Sequence, residues 1–373
     1  MRQLLQHATE EQQSLATTKF SMMGRELASI LVGDHLGQVK KVLLPSGEIS
    51  ILPDFPEPNS ANPVVSIRPI DKTSTKHLIA YKEGDLFIHD SVRNTTQRCD
   101  VHTGDANLIK ALISDNQDTI LVYEKRLVFY HAKRTKEVEV KLKKGQITSA
   151  KVLDGRLAIV GRDIPLKIFD VKTKKKIYDA DPPEKDWLGI QPECYVVGLD
   201  FVGPHRIATC SKSDSVIRVY DIESKKTQPI ITVNLDHTAF NEYAEAGRFF
   251  SIASADSNTN SNNATIVVGS NVGQLIAIEL RFNRKIIPKK KLQPRTHKVL
   301  GGFKGARGAS IKDVIIFESG PEDDKTDYKV VSCSLDRFMR IYNMSRTSGR
   351  HLDKQIYMKT KPICCSPVFY EVA

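Results

Sequence analysis

Cys333, Asp336, Arg337 and Arg340 crowd into the stretch VVSCSLDRFMRIYN at residues 330–343. A thiol can act as a nucleophile, a carboxylate as a base, and paired guanidiniums can hold an anion. The same residue types between short apolar runs also make a tight turn. There a short acceptor side chain bonds nearby backbone N–H groups and tolerates unusual dihedrals. Recurrence separates the two readings, because catalytic residues are not expected once per repeat.

The stretch does recur. A β-rich run, a polar turn and a second run appear from Ile30, Leu78, Ile120, Leu157, Ile207, Ile266 and Val330. Asp34, Asp163, Asp214, Asn271 and Asp336 fall at or near corresponding turn positions, while the second and third units carry Glu83 and Glu124. The reading is therefore a structural turn, with Cys333 a small core residue and Asp336 ordering the turn. Arg337, at the tip, is left as a candidate contact.

The starts lie roughly 40 to 60 residues apart, which fits four-stranded blades of a WD-type β-propeller with loops of varying length. Further runs precede and follow each pair, such as YVVGLDF at 195–201 and QPIITV at 228–233. Alternation of apolar and polar residues gives one strand to each run and a strand order a, b, c, d. The first unit begins near its b strand at Leu27, and the apolar run ICCSPVFY at 363–370 has no blade of its own. The expected fold is all-β: a seven-bladed WD40-type β-propeller over 27–373, closed by a C-terminal strand pairing with the first blade. Residues 1–26 are expected to be a flexible N-terminal extension.

Lysine and arginine outnumber aspartate and glutamate by 55 to 44, a net charge of +11, which favours an anionic partner. No stretch is long and apolar enough for a membrane span, so no membrane partner is expected and the protein reads as soluble and intracellular. The six cysteines form no CxxC pair and read as reduced, buried thiols. No metal, no cofactor and no catalytic residue is expected. GGFKGARGAS at 301–310 lacks the Gly-Lys-Ser/Thr ending of a phosphate loop and precedes a strand; its glycines read as a tight entry into that strand.

The d–a loops share a face with the b–c turns, and that face is the candidate binding surface. To it the sequence assigns Trp187, in a proline-rich loop at 181–193, and the basic stretch 289–308 with Lys304 and Arg307. Trp187 reads either as an exposed anchor for a protein partner or as a plug folded over the blades. Lys289, Lys290, Lys291, Arg295 and Lys298, with Lys172, Lys174, Lys175 and Lys176 on another blade, could neutralise phosphates or be a solvated rim. The contact residues singled out are Trp187, Lys304, Arg307 and Arg337.

The C-terminal third carries an ordered set of motifs: Val268-Gly269-Ser270-Asn271-Val272-Gly273-Gln274-Leu275, then Lys304-Gly305-Ala306-Arg307-Gly308-Ala309-Ser310-Ile311, then Ser332-Cys333-Ser334-Leu335-Asp336-Arg337. Together with Asp186-Trp187-Leu188 and Ile217-Arg218-Val219-Tyr220-Asp221, the set resembles the WD-repeat ribosome-biogenesis factors that include the fungal Nop-seven-associated protein one and the animal WD-repeat protein seventy-four. The resemblance implies a non-enzymatic assembly factor of the nucleus and nucleolus, a scaffold or placeholder on 60S (pre-60S) precursors during rRNA processing. It further implies pre-60S assembly factors as partners, with ribosomal RNA as a further candidate, release by an AAA-type ATPase, and a monomer within a large particle. The alternative is a general WD40 adaptor such as a ubiquitin-ligase substrate receptor.

Overall fold

The structure is a computed structural model that describes residues 25–44, 46–70, 74–99, 107–115, 118–130, 138–185, 187–224, 226–234, 248–255, 262–282, 296–303, 305, 308–318, 327–345 and 349–371. They form seven four-stranded antiparallel sheets, the blades of a β-propeller. The innermost strands, a, are Val64–Pro69, Leu108–Ile113, Gln146–Leu153, Val196–Phe201, Phe249–Ser254 and Ile311–Glu318 in blades 2 to 7. In blade 1 strand a is Pro362–Glu371, from the other end of the chain. It pairs with strand b, Arg25–Asp34, from Arg25 opposite Glu371 to Asp34 opposite Pro362. The closure expected from ICCSPVFY is present, and strand b starts two residues before Leu27.

Burial explains the residue choice. Strands b are covered on both faces by neighbouring blades, so they read as continuous apolar runs, as in the fully buried Ile266, Val267 and Val268. Strands d are edges and carry polar, exposed residues, as in Thr95–Arg98, which discourages pairing with another chain. The core lies between blades. Ile30, Val32 and Val42 of blade 1 pack with Val331, Cys333, Met339 and Ile341 of blade 7 and with Cys365 of the closing strand. Each large apolar side chain buried in this way contributes about 1.5–3 kcal/mol.

A polar clasp completes the closure. Buried Lys40 and Asp34 form an ion pair at 3.1 Å, and Lys40 Nζ also donates to Met358 O at 2.8 Å. The Thr360 hydroxyl bonds Asp34 Oδ2, and His35 N donates to Lys361 O at 3.1 Å. The first b–c turn is thereby tied to the segment that leads into the last strand.

One expectation about the basic residues needs correction. His297–Gly302 is strand d of blade 6, paired along Leu275–Arg281, so the stretch 289–308 is not a single d–a loop. Strand c of that blade needs a hydrogen-bonding partner, and the run HKVLGG supplies it despite its polar start and glycine end. Gly301 takes a φ of +120° there, and a Cβ on it would lie 2.7 Å from Arg350 Nη2. Lys289, Lys290, Lys291 and Arg295 lie outside the described residues and precede this strand. Lys172, Lys174 and Lys175 sit in the c–d turn of blade 4, just before strand d, Lys176–Asp179. In an antiparallel meander, c–d turns lie at the end opposite the b–c turns. These lysines therefore cannot extend the face that holds Arg337.

Candidate interaction face

The b–c turns and d–a connections share one end of the propeller. Asp336 sits in the last turn, where its Oδ1 accepts Phe338 N at 3.1 Å and its Oδ2 accepts Arg340 Nη2 at 2.6 Å. Arg340 is buried and also donates from Nε to Gln355 at 3.1 Å. Asp214 matches this geometry: its Oδ1 accepts Val216 N at 3.4 Å and it pairs with Arg218. The other turn residues do not occupy that place. Asp34 is the last residue of its b strand, where Oδ1 accepts Leu36 N and Gln38 N, both at 2.9 Å. Asn271 reaches sideways and accepts Arg248 N at 2.7 Å. Asp163 sits in a shorter turn at φ +57° and donates its N–H to Cys194 O at 2.8 Å. One sequence pattern thus covers several ways of satisfying turn backbone groups.

Cys333 is fully buried. Its neighbour Cys365 is pushed well above the usual thiol range by the hydrogen bond with Cys333 and by burial. No disulfide joins the six cysteines. Arg337 is exposed, at φ +71°, with Nη1 donating to Tyr357 Oη at 3.4 Å. Lys304 and Arg307 lie outside the described residues. A Cβ on Gly308 would lie 2.9 Å from Asp336 Oδ2, and Ser334 Oγ donates to Ala309 O at 2.8 Å. The chain at Gly308 and Ala309 therefore runs against the Asp336 turn.

Trp187 is 90% exposed, with Leu188 and Ile190 exposed beside it. Its side chain is not folded over the blades. The residue lies between strand d of blade 4 and strand a of blade 5, on the same face as Arg337.

The face also carries a ribbon of alternating cations and rings that the sequence did not reveal. Arg162 lies over Tyr195 at 5.9 Å, and Lys212 over the same ring at 4.9 Å. Lys212 is 5.2 Å from the Phe250 ring, and Lys312 is 5.3 Å from it. The ribbon crosses blades 4 to 7 near the mouth of the central channel, and each such contact is worth about 0.5–1 kcal/mol when exposed. Its members come from strand ends scattered over 150 residues of sequence. Lys312 is pushed below the ordinary lysine range by burial and then by Lys212.

No protein-family model and no curated protein matches the sequence. Solved structures match it in shape. A chain of the mitotic checkpoint complex superposes with a TM-score of 0.58 at 11% identity, covering 86% of this chain and 87% of that one. The β-propeller domain of Cps50 (Swd1) from Myceliophteria thermophila gives 0.57 at 10% identity, with 80% and 86% covered. The computationally designed Ika8 protein gives 0.57 at 12% identity, with 92% and 91% covered. At such identities the likeness is one of fold: the chain is a seven-bladed WD40-like β-propeller.

Proposed function

We propose that this protein is a non-enzymatic docking scaffold in the nucleolar assembly of the large ribosomal subunit, and that its b–c/d–a face receives other assembly factors. The observation that carries docking is Trp187, exposed with Leu188 and Ile190 in a loop that joins two blades of a rigid ring. Large apolar side chains held out on one face are the usual anchors of protein interfaces. The ribosomal assignment is supported by the ordered motifs of the C-terminal third, from Val268 to Arg337. Arg337, on the same face, and Lys304 and Arg307 of the sequence motif would supply basic contacts.

Affinity purification of the tagged protein tests both halves. The wild type should recover ribosomal proteins and large-subunit assembly factors. Trp187→Ala should lose most of that recovery, since an interface anchor of about 2 kcal/mol corresponds to roughly thirtyfold in affinity. Its thermal stability should stay unchanged, because the side chain is solvent-exposed. Recovery of a cullin-type ligase in place of ribosomal material would overturn the assignment in favour of a ligase adaptor. Undiminished recovery by Trp187→Ala would overturn the role of the loop.

A further inference from the structure

The central channel holds more positive charge than the scaffold uses. Its volume is about 880 Å³, within the ~300–1,000 Å³ typical of small-molecule sites. Strands a of blades 2 to 7 each begin with the same one-residue bulge, and the closing strand has one at Ile363, so positions can be matched by counting from it. The bulge residue is Lys312 in blade 7. The next residue is Lys110 in blade 3 and Asp313 in blade 7. Two further on stand Arg68 in blade 2, Lys151 in blade 4, Asp200 in blade 5 and Ser366 in blade 1.

Lys82 and the exposed Glu124 also line the cavity, from b–c turns; the two carboxylates of the a strands are consumed by the ring itself. Asp200 pairs with Lys151 and accepts Phe201 N at 2.7 Å and Ser254 N at 3.0 Å. Asp313 accepts Val314 N at 3.1 Å and Cys365 N at 3.0 Å. The other cations have no such partners. Lys110 Nζ donates to the neutral Ser149 hydroxyl at 2.9 Å, and Arg68 and Lys312 make no ion pair among the described residues. The Ser366 hydroxyl is buried and unpartnered. A buried donor without a partner costs free energy, and so do like charges held together away from water.

We propose that the central channel binds a compact, phosphate-rich small anion, held by Arg68, Lys110 and Lys312 and by the Ser366 hydroxyl. The cations surround one cavity instead of tracking along a groove, which suits a small polyanion better than a nucleic-acid backbone. Lys110 agrees with this reading: burial, then Arg68, push it down to about 7, with Lys151 acting in the same sense and Asp313 and Asp200 opposing. An anion beside it would favour the charged form, so binding should take up protons near neutral pH.

Isothermal titration calorimetry of the full chain with inorganic tripolyphosphate, and separately with inositol hexakisphosphate, tests this at physiological salt. Buffers of different ionisation enthalpy report the protons taken up. The expected result is saturable binding at one site per chain, and whichever probe binds tighter identifies a linear or a cyclitol phosphate. Arg68→Gln with Lys110→Met should weaken binding at least about tenfold, the loss expected for a charge-assisted contact. Lys110→Met alone should abolish the proton uptake, and Arg93→Gln, in an exposed c–d turn outside the channel, should change nothing. If the double variant does not fold, Lys312→Gln at the channel mouth is read instead, with a loss of about threefold or more expected. Absence of saturable binding by both probes, or equal binding by the folded channel variants, would overturn the proposal.

Discussion

Lys110→Met isolates the cost of the unneutralised channel. The folded protein lowers Lys110 from 10.5 to about 7, because burial and then Arg68 disfavour its charge. At about 1.36 kcal/mol for each pH unit between the two values, placing Lys110 in the channel costs about 4 kcal/mol near pH 7.5. Methionine keeps the length of the side chain and removes the charge. Losing the Ser149 hydrogen bond gives back about 1 kcal/mol. The variant should therefore be about 3 kcal/mol more stable than the wild type near neutrality. The sign with pH follows from proton binding. Between about 7 and 10.5 the unfolded chain binds the Lys110 proton more fully than the folded one, so wild-type stability rises with pH on this account. The penalty is fully present below pH 7, and the advantage of the variant should shrink by about 2 kcal/mol from pH 6.5 to pH 8.5. Titrations of other groups cancel in the difference between the two proteins. Urea unfolding followed by far-ultraviolet circular dichroism measures it; the single tryptophan is exposed and a poor reporter of the core. Equal stabilities at pH 6.5, or a gap that does not narrow towards pH 8.5, would refute the reasoning.

Two scaffold predictions follow from the turns and the closure. Asp34→Ala should destabilise by about 3–5 kcal/mol, because it leaves Lys40 buried without its counter-ion. Asp336→Ala should cost less, about 2 kcal/mol, since its carboxylate is partly exposed and Arg340 keeps Gln355. Comparison of urea midpoints checks the order, and a larger loss at Asp336 would contradict it. Removing residues 362–373 should abolish cooperative thermal unfolding, because the b strand Arg25–Asp34 then loses its inner partner along its whole length. A cooperative melt retained by that truncation would show that the ring does not depend on closure.

The architecture was legible because propeller blades repeat a local grammar. Seven runs with a turn between them fix the b and c strands, and an unclaimed apolar run at the C-terminus points to the missing a strand. Blade 6 was harder. His297–Gly302 hides as a strand because its side chains are only partly covered, so burial imposes little apolar periodicity on it. What makes it a strand is the backbone demand of Leu275–Arg281, and the residue string does not display that demand. The turn acids show the opposite failure. Asp34 and Asp336 look alike in the pattern, yet one is a buried ion-pair partner of the closing clasp and the other braces Arg340 at an accessible turn.

The channel cations show why a site can be fully written in a sequence and still be missed. Arg68 in SIRPI, Lys110 in LIKALI, Lys151 in SAKVL and Lys312 in SIKDV are each the single cation of a short run. Read singly, each is an ordinary polar residue on the outward side of an alternating strand, and no window holds more than one. Ring closure brings these strands around one axis, so residues more than 200 positions apart in sequence line one cavity. The bulge that puts these strands in common register is a backbone feature, and the residue string does not display it. A propeller needs small or apolar residues at most inner positions so that its blades can meet. Cations without counter-ions there oppose folding, and the protein keeps three of them facing a space that an anion can fill.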